Sequence, residues 1–130
     1  MTAAPVSAAD RALVADWAHL TLPPGARDLV YHHERGADPA IWLRVVFPAR
    51  ERDDFVRGAG LVAPLQARVR YVTTAQRRDQ PWWRPDDVAP FESGQLLQER
   101  TRPRHGKNVL LGPAGGSGDD LVAYVFVTGL

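Results

Sequence analysis

The chain has no cysteine. Disulfides, thiolate nucleophiles and cysteine-held zinc or iron–sulfur centres are therefore excluded as sources of stability or chemistry within it. Lysine is nearly absent too, since Lys107 stands alone among 16 lysine and arginine residues. Without an accompanying excess of positive charge, that arginine bias points to the base composition of the coding DNA rather than to phosphate binding. Formal net charge is +1, so no global field draws the protein to nucleic acid or to an anionic membrane. No apolar run approaches the roughly 18 residues that a spanning helix needs. Met1 to Asp10 lack the basic start and apolar stretch of a secretory signal. A soluble cytoplasmic protein without a membrane partner is expected.

What is present suffices for one domain. With 130 residues, 45% of them hydrophobic and 24% charged, the chain can bury a single core and falls outside the disordered range. Residues 1–8 read as a flexible N-terminal tail and residues 9–130 as a single α+β domain. Ser7 is placed to cap a short helix, with Leu13, Val14 and Trp17 on its apolar face. The Pro23-Pro24-Gly25 run ends that region.

Strict alternation follows. Residues 28–34 and 40–47 read as a hairpin, with Ile41, Leu43, Val45 and Phe47 on one face and Trp42, Arg44 and Val46 on the other. Residues 50–58 read as a short helix with Phe55 inward and acids in its first turn. Residues 66–73 alternate weakly and suggest a third strand. Residues 75–90 are loop, with one helical turn after Pro85. Residues 94–101 and 107–111 are further strand candidates. Residues 121–128 are apolar on both faces, which predicts a central strand. Short connections imply a mainly antiparallel sheet of about four to six strands, with one or two short helices packed on one face.

Each motif that invites a catalytic reading has a missing part. His32, His33 and Glu34 adjoin on a strand, yet His33 must point away from the other two. A metal site there would need further ligands such as His105, Asp119 or Asp120. The Gly-rich loop 112–120 joins two strands and lacks the Gly-Lys-Ser/Thr of a phosphate cradle. Ser93 lacks the Gly-x-Ser-x-Gly elbow of a nucleophile. No catalytic residue, metal or cofactor is expected.

The segment Arg77 to Pro85 is the most distinctive. Trp82 and Trp83, framed by arginines and prolines, could stack on a ligand or anchor a partner. The plainer reading places one tryptophan in the core and the other on the surface. The leading expectation is a non-enzymatic binding or protein-interaction module that uses Trp82, Trp83 and Arg84 with Arg44, His32 and Glu34 nearby. Its partner would be a protein or a small ligand, and an edge strand could support a homodimer. The alternative is a small hydrolase-like or metal-dependent enzyme built on His32, His33, Glu34 and acids of the 112–120 loop. Nucleic-acid binding through the Arg/Trp segment is the weakest reading, because it requires a basic surface that the charge balance does not supply.

Several of these segments recur together. Leu22-Pro23-Pro24-Gly25-Ala26, Tyr31-His32-His33-Glu34-Arg35-Gly36, Trp42-Leu43-Arg44, Phe55 with Gly58 to Leu61, Trp82-Trp83-Arg84-Pro85 and Tyr124-Val125-Phe126-Val127 resemble a family of small bacterial proteins, mostly actinobacterial, of uncharacterised function. The resemblance spans roughly residues 20 to 128. It implies the α+β fold and brings no reaction or cofactor. Members of that group often look like lipoproteins, a feature that a chain without cysteine does not share.

Overall fold

Eight residues of alternating character and a turn are enough to start a sheet, and the chain does this first at its hairpin. The computed structural model describes residues 4–36, 39–61, 64–98, 105–115 and 119–128. Strand β1 (Arg27–Glu34) pairs antiparallel with β2 (Ala40–Pro48), in register from Val30 opposite Arg44 to Glu34 opposite Ala40. The expected hairpin is therefore present. Near its start β1 is irregular, with Asp28 at φ 54°.

Two helices follow from local signals. Helix α1 (Ala8–Ala18) is capped by the Ser7 side chain, whose Oγ accepts from the Asp10 N–H. Val14 and Ala18 are its buried residues, and Leu13 and Trp17 pack half-buried at the rim. A 3-10 turn over Ala49–Glu51 leads into α2 (Arg52–Gly58), which buries Phe55 in a stack on Phe47 with ring centroids 4.8 Å apart. Asp53 and Asp54 lie in the first turn of α2, where the helix dipole favours them.

The remaining strands are β3 (Glu92–Gln98), β4 (His105–Pro113) and β5 (Asp120–Thr128). The five form one antiparallel sheet in the order β1-β2-β5-β4-β3. The strand expected over 94–101 thus begins at Glu92, and its last three positions lie outside the described residues. Strands β2 and β5 are flanked on both sides and covered on both faces, which is why both are apolar over most of their length. On one face Ile41, Leu43, Val45, Phe47, Val109, Leu111, Ala123, Val125 and Val127 meet α1 and α2. On the other, Trp42, Val46, Leu110, Val122 and Tyr124 meet Val72, Trp83 and Val88 of the irregular segment 64–91.

That segment corrects one expectation. Residues 66–73 are not a strand. Only Gln66 bridges to Ser93, and the chain then bends away. Val72 is the residue that turns inward, while Val69 is 43% exposed, so the apparent alternation is out of phase with the burial. The backbone is held by side chains instead. Arg70 donates to the Pro85 and Val88 carbonyls, each at 2.9 Å, and the Tyr71 N–H donates to Ser93 Oγ at 3.0 Å. The expected helical turn after Pro85 is present as a 3-10 turn over Pro85–Asp87, and a second covers Thr74–Arg77.

The described end of the N-terminal stretch meets the sheet. Among residues 1–8, Ala4 to Val6 run beside the start of β1. Pro5 bridges Arg27, the Ala4 N–H bonds the Asp28 carboxylate, and the Asp28 N–H bonds the Ala4 carbonyl at 2.8 Å. No helix among the described residues is long and apolar enough to cross a membrane.

Candidate functional site

Arg44 is an oddity of the sheet. It lies on β2 between Trp42 and Val46, so it projects into the face that the 64–91 segment covers, where its neighbours are apolar. A guanidinium at such a position costs desolvation unless polar partners meet it. One does: Arg44 Nε donates to the hydroxyl of Tyr124, its cross-strand neighbour, at 3.3 Å. The Tyr124 ring is buried against Trp83 in a perpendicular contact at 5.3 Å, which fixes the hydroxyl in place.

The two adjacent tryptophans have different surroundings. Trp83 is fully buried, and its indole N–H donates to the Thr73 carbonyl at 2.9 Å. Trp82 is half-buried, stands perpendicular to Trp83 at 5.9 Å, and donates its indole N–H to Gln80 Oε1 at 3.1 Å. Trp83 therefore holds the loop on the sheet, and Trp82 is the ring that the loop presents.

Between that loop and the sheet lies a cleft of about 510 Å³ whose walls include Arg44, Trp82, Arg84, Asp87, Tyr124 and Gly115. Three residues named from sequence, Arg44, Trp82 and Arg84, thus share one cleft. Tyr124 and Asp87 were not named, because alternation cannot show which strand residue carries its polar end into an opening. The signal that was available is the charge at Arg44 on a face that otherwise reads as apolar.

His32 and Glu34 belong to a different constellation. They share a face, with His32 Nε2 and Glu34 Oε1 3.3 Å apart. Arg77 reaches over from the loop, with Nη1 2.5 Å from Glu34 Oε1, Nη2 2.9 Å from Asp79 Oδ2 and Nη2 2.9 Å from His32 Nε2. A guanidinium only donates, so His32 Nε2 is the acceptor in that contact. The Arg77 guanidinium also lies 4.8 Å from the centre of the Trp42 ring, which Phe126 stacks from 4.9 Å. This cluster pins the 74–80 stretch to the hairpin and leaves His32 and Glu34 spent on Arg77.

His33 points the other way, as a strand requires, and packs on Trp17 of α1 at 4.2 Å. Burial, then Arg35, then His32 hold its imidazole below the ordinary value. The alternative site is also divided along the sheet. Its histidines lie at the Trp42–Phe126 end and Asp120 lies opposite Pro48. Between them runs roughly 20 Å of β5. Asp120 itself is paired with Arg27. Among the described residues no group of three or more His, Asp or Glu gathers as metal ligands.

Ser93 has a structural task. It is fully buried, donates to the Val109 carbonyl at 2.8 Å and accepts from the Tyr71 N–H, so both ends of its hydroxyl are engaged. Lys107 is the residue that sequence reading passed over. Buried on the helix-covered face, it donates to the Ala59 carbonyl at 2.8 Å and to the His19 carbonyl. Those are the C-terminal caps of α2 and α1, where a cation meets the negative ends of both helix dipoles. Burial pushes its ammonium down to about 8.

Compared with models of known protein families, with curated proteins and with solved structures, the chain matches none. The chemistry of the cleft is therefore read from its own geometry.

Proposed function

We propose that the protein is a small binding module, with no reaction of its own, that takes a small ligand in the cleft between the Trp82 loop and the sheet. One observation carries the reading. Side chains from three separate stretches, Arg44 on β2, Trp82 and Arg84 on the loop and Tyr124 on β5, converge on one opening of about 510 Å³. That volume lies within the roughly 300–1,000 Å³ of small-molecule sites, and its walls mix apolar residues such as Val88, Pro113 and Val122 with the charged Arg44, Arg84 and Asp87. Trp82 supports a ligand that enters the cleft over a flat protein surface. Its indole N–H is spent on Gln80, so it offers a ring to stack on rather than a projecting anchor.

The test is a fragment titration followed by ¹H–¹⁵N NMR, with neutral, acidic and basic aromatic fragments in the set. The expected shifts localise to the Trp82 indole N–H and to the amides of Gly115 and Tyr124. Trp82→Ala should abolish them while the spectrum stays dispersed. Trp83 must be left intact, since its removal would report on folding. If no fragment of any charge class moves those resonances, the reading fails.

A further inference from the structure

Within that binding reading, on which the step rests, the ligand's charge can also be assigned. Most arginines near an acid are already engaged. Arg27 pairs with Asp28 and Asp120, Arg52 with Asp53 and Glu92, Arg57 with Asp54, and Arg77 with Glu34 and Asp79. Arg11 and Arg70 are spent on backbone carbonyls. Arg44 and Arg84, the two that line the cleft, have no carboxylate partner among the described residues. Arg35, Arg50, Arg68 and Arg78 are likewise without one, but none of them lines the cleft.

The unspent donors at Arg44 are fixed in direction. Its Nε is directed at the Tyr124 hydroxyl, and among the described residues neither terminal nitrogen has a hydrogen bond. Tyr124 accepts in that contact, so its own proton is left to donate. Arg44 is also only partly exposed and Tyr124 is buried. Neither terminal nitrogen of Arg44 is shut off from solvent, so a ligand oxyanion can reach them and form charge-assisted bonds in place of neutral ones. Asp87 is the one acid in the lining, so the cleft carries two guanidiniums against one carboxylate.

We infer that the cleft binds an oxyanion, a carboxylate or a phosphate monoester, attached to a planar apolar group. Arg44, Arg84 and the Tyr124 hydroxyl take the oxygens and Trp82 takes the ring. A guanidinium presents paired N–H groups that match two oxygens of either anion, and such charge-assisted bonds are about twice as strong as neutral ones.

The probes are phenyl phosphate, benzoate and benzyl alcohol, titrated against the full chain by NMR. The two anions should shift the Trp82 indole N–H and bind at least about tenfold tighter than benzyl alcohol, with the gap narrowing as salt is raised. The comparison of phenyl phosphate with benzoate identifies which oxyanion is preferred. Arg44→Met keeps the volume of the side chain and should remove the preference for anions. Arg84→Ala, at an exposed position, and Tyr124→Phe should each weaken it and carry the test if Arg44→Met does not fold. Equal binding of benzyl alcohol and the anions at Trp82 overturns the anion inference and leaves the binding module standing. Failure of every fragment there overturns both.

Discussion

Lys107 shows how a single residue can be costly and still useful. Its ammonium joins the C-terminal caps of α1 and α2, and His19, one of those caps, sits at φ 51°, a conformation that a residue with a side chain adopts reluctantly. Burial lowers the lysine from its ordinary 10.5 to about 8. The folded chain therefore releases this proton near pH 8, whereas the unfolded chain holds it to about 10.5. Between those values the unfolded state binds more protons, so this contribution to stability rises with pH there. Below pH 8 both states carry the charge and the full desolvation cost remains. Lys107→Met removes the titration. Urea midpoints from pH 7.5 to 10.5 should show the wild type gaining on the variant by an amount on the order of 3 kcal/mol. A difference that does not change with pH would show that burial does not perturb this lysine.

At the scale of elements, the ends of the helices are fixed by close approaches that only particular residues permit. Gly58 closes α2, and a Cβ there would fall 2.1 Å from the Thr21 carbonyl oxygen. The same segment is tied back, because the Thr21 N–H donates to the Gly58 carbonyl at 3.0 Å. Neither side can yield without breaking that bond. Gly58→Ala should therefore destabilise the protein by about 2–3 kcal/mol, read as a lowered denaturant midpoint with an unchanged m-value. A neutral result would mean that the chain after α1 is free to shift. Elements built on local signals were legible: the Ser7 cap, the hairpin and the doubly apolar β5 each follow from spacing alone. The 66–73 stretch was not legible, since its apparent alternation competes with Arg70 and Ser93, which satisfy the backbone from a distance. The surroundings of His32 and Glu34 were not legible for a related reason. Their spacing shows a shared face, but nothing local shows that Arg77 arrives to occupy it. Arg44, Trp82 and Arg84 could be named from sequence, whereas their meeting with Tyr124 depends on how β2 and β5 register.

The whole molecule has a sheet with two unlike coverings, and this asymmetry bears on function. One face is closed by α1 and α2, whose backbones are satisfied within the helices. The other is closed by residues 64–91, whose backbone bonds are mostly short turns such as Gln80 to Arg77, Trp83 to Gln80 and Asp87 to Arg84. What fastens that segment to the sheet is a few contacts: Val72, Trp83 and Val88 in the core, the Gln66 and Tyr71 backbone on Ser93, and Arg77 on Glu34 and His32, while Arg70 ties it to itself through two carbonyls. A covering with few ladder bonds opens locally at lower free energy than the sheet beneath it. The cleft lies along its margin, so a ligand held by Arg44 and Arg84 would bridge the sheet and the covering and bias it closed. Amide exchange should therefore be faster in residues 74–88 than in β2 and β5 by at least about tenfold, which corresponds to ~1.4 kcal/mol of opening free energy. Saturating phenyl phosphate should slow exchange from Trp82 to Ala89 and leave β5 unchanged. Exchange in 74–88 as slow as in β5 would show that both coverings open only with the whole domain. The cleft would then be a rigid pocket that ligand fills without altering the protein's motion.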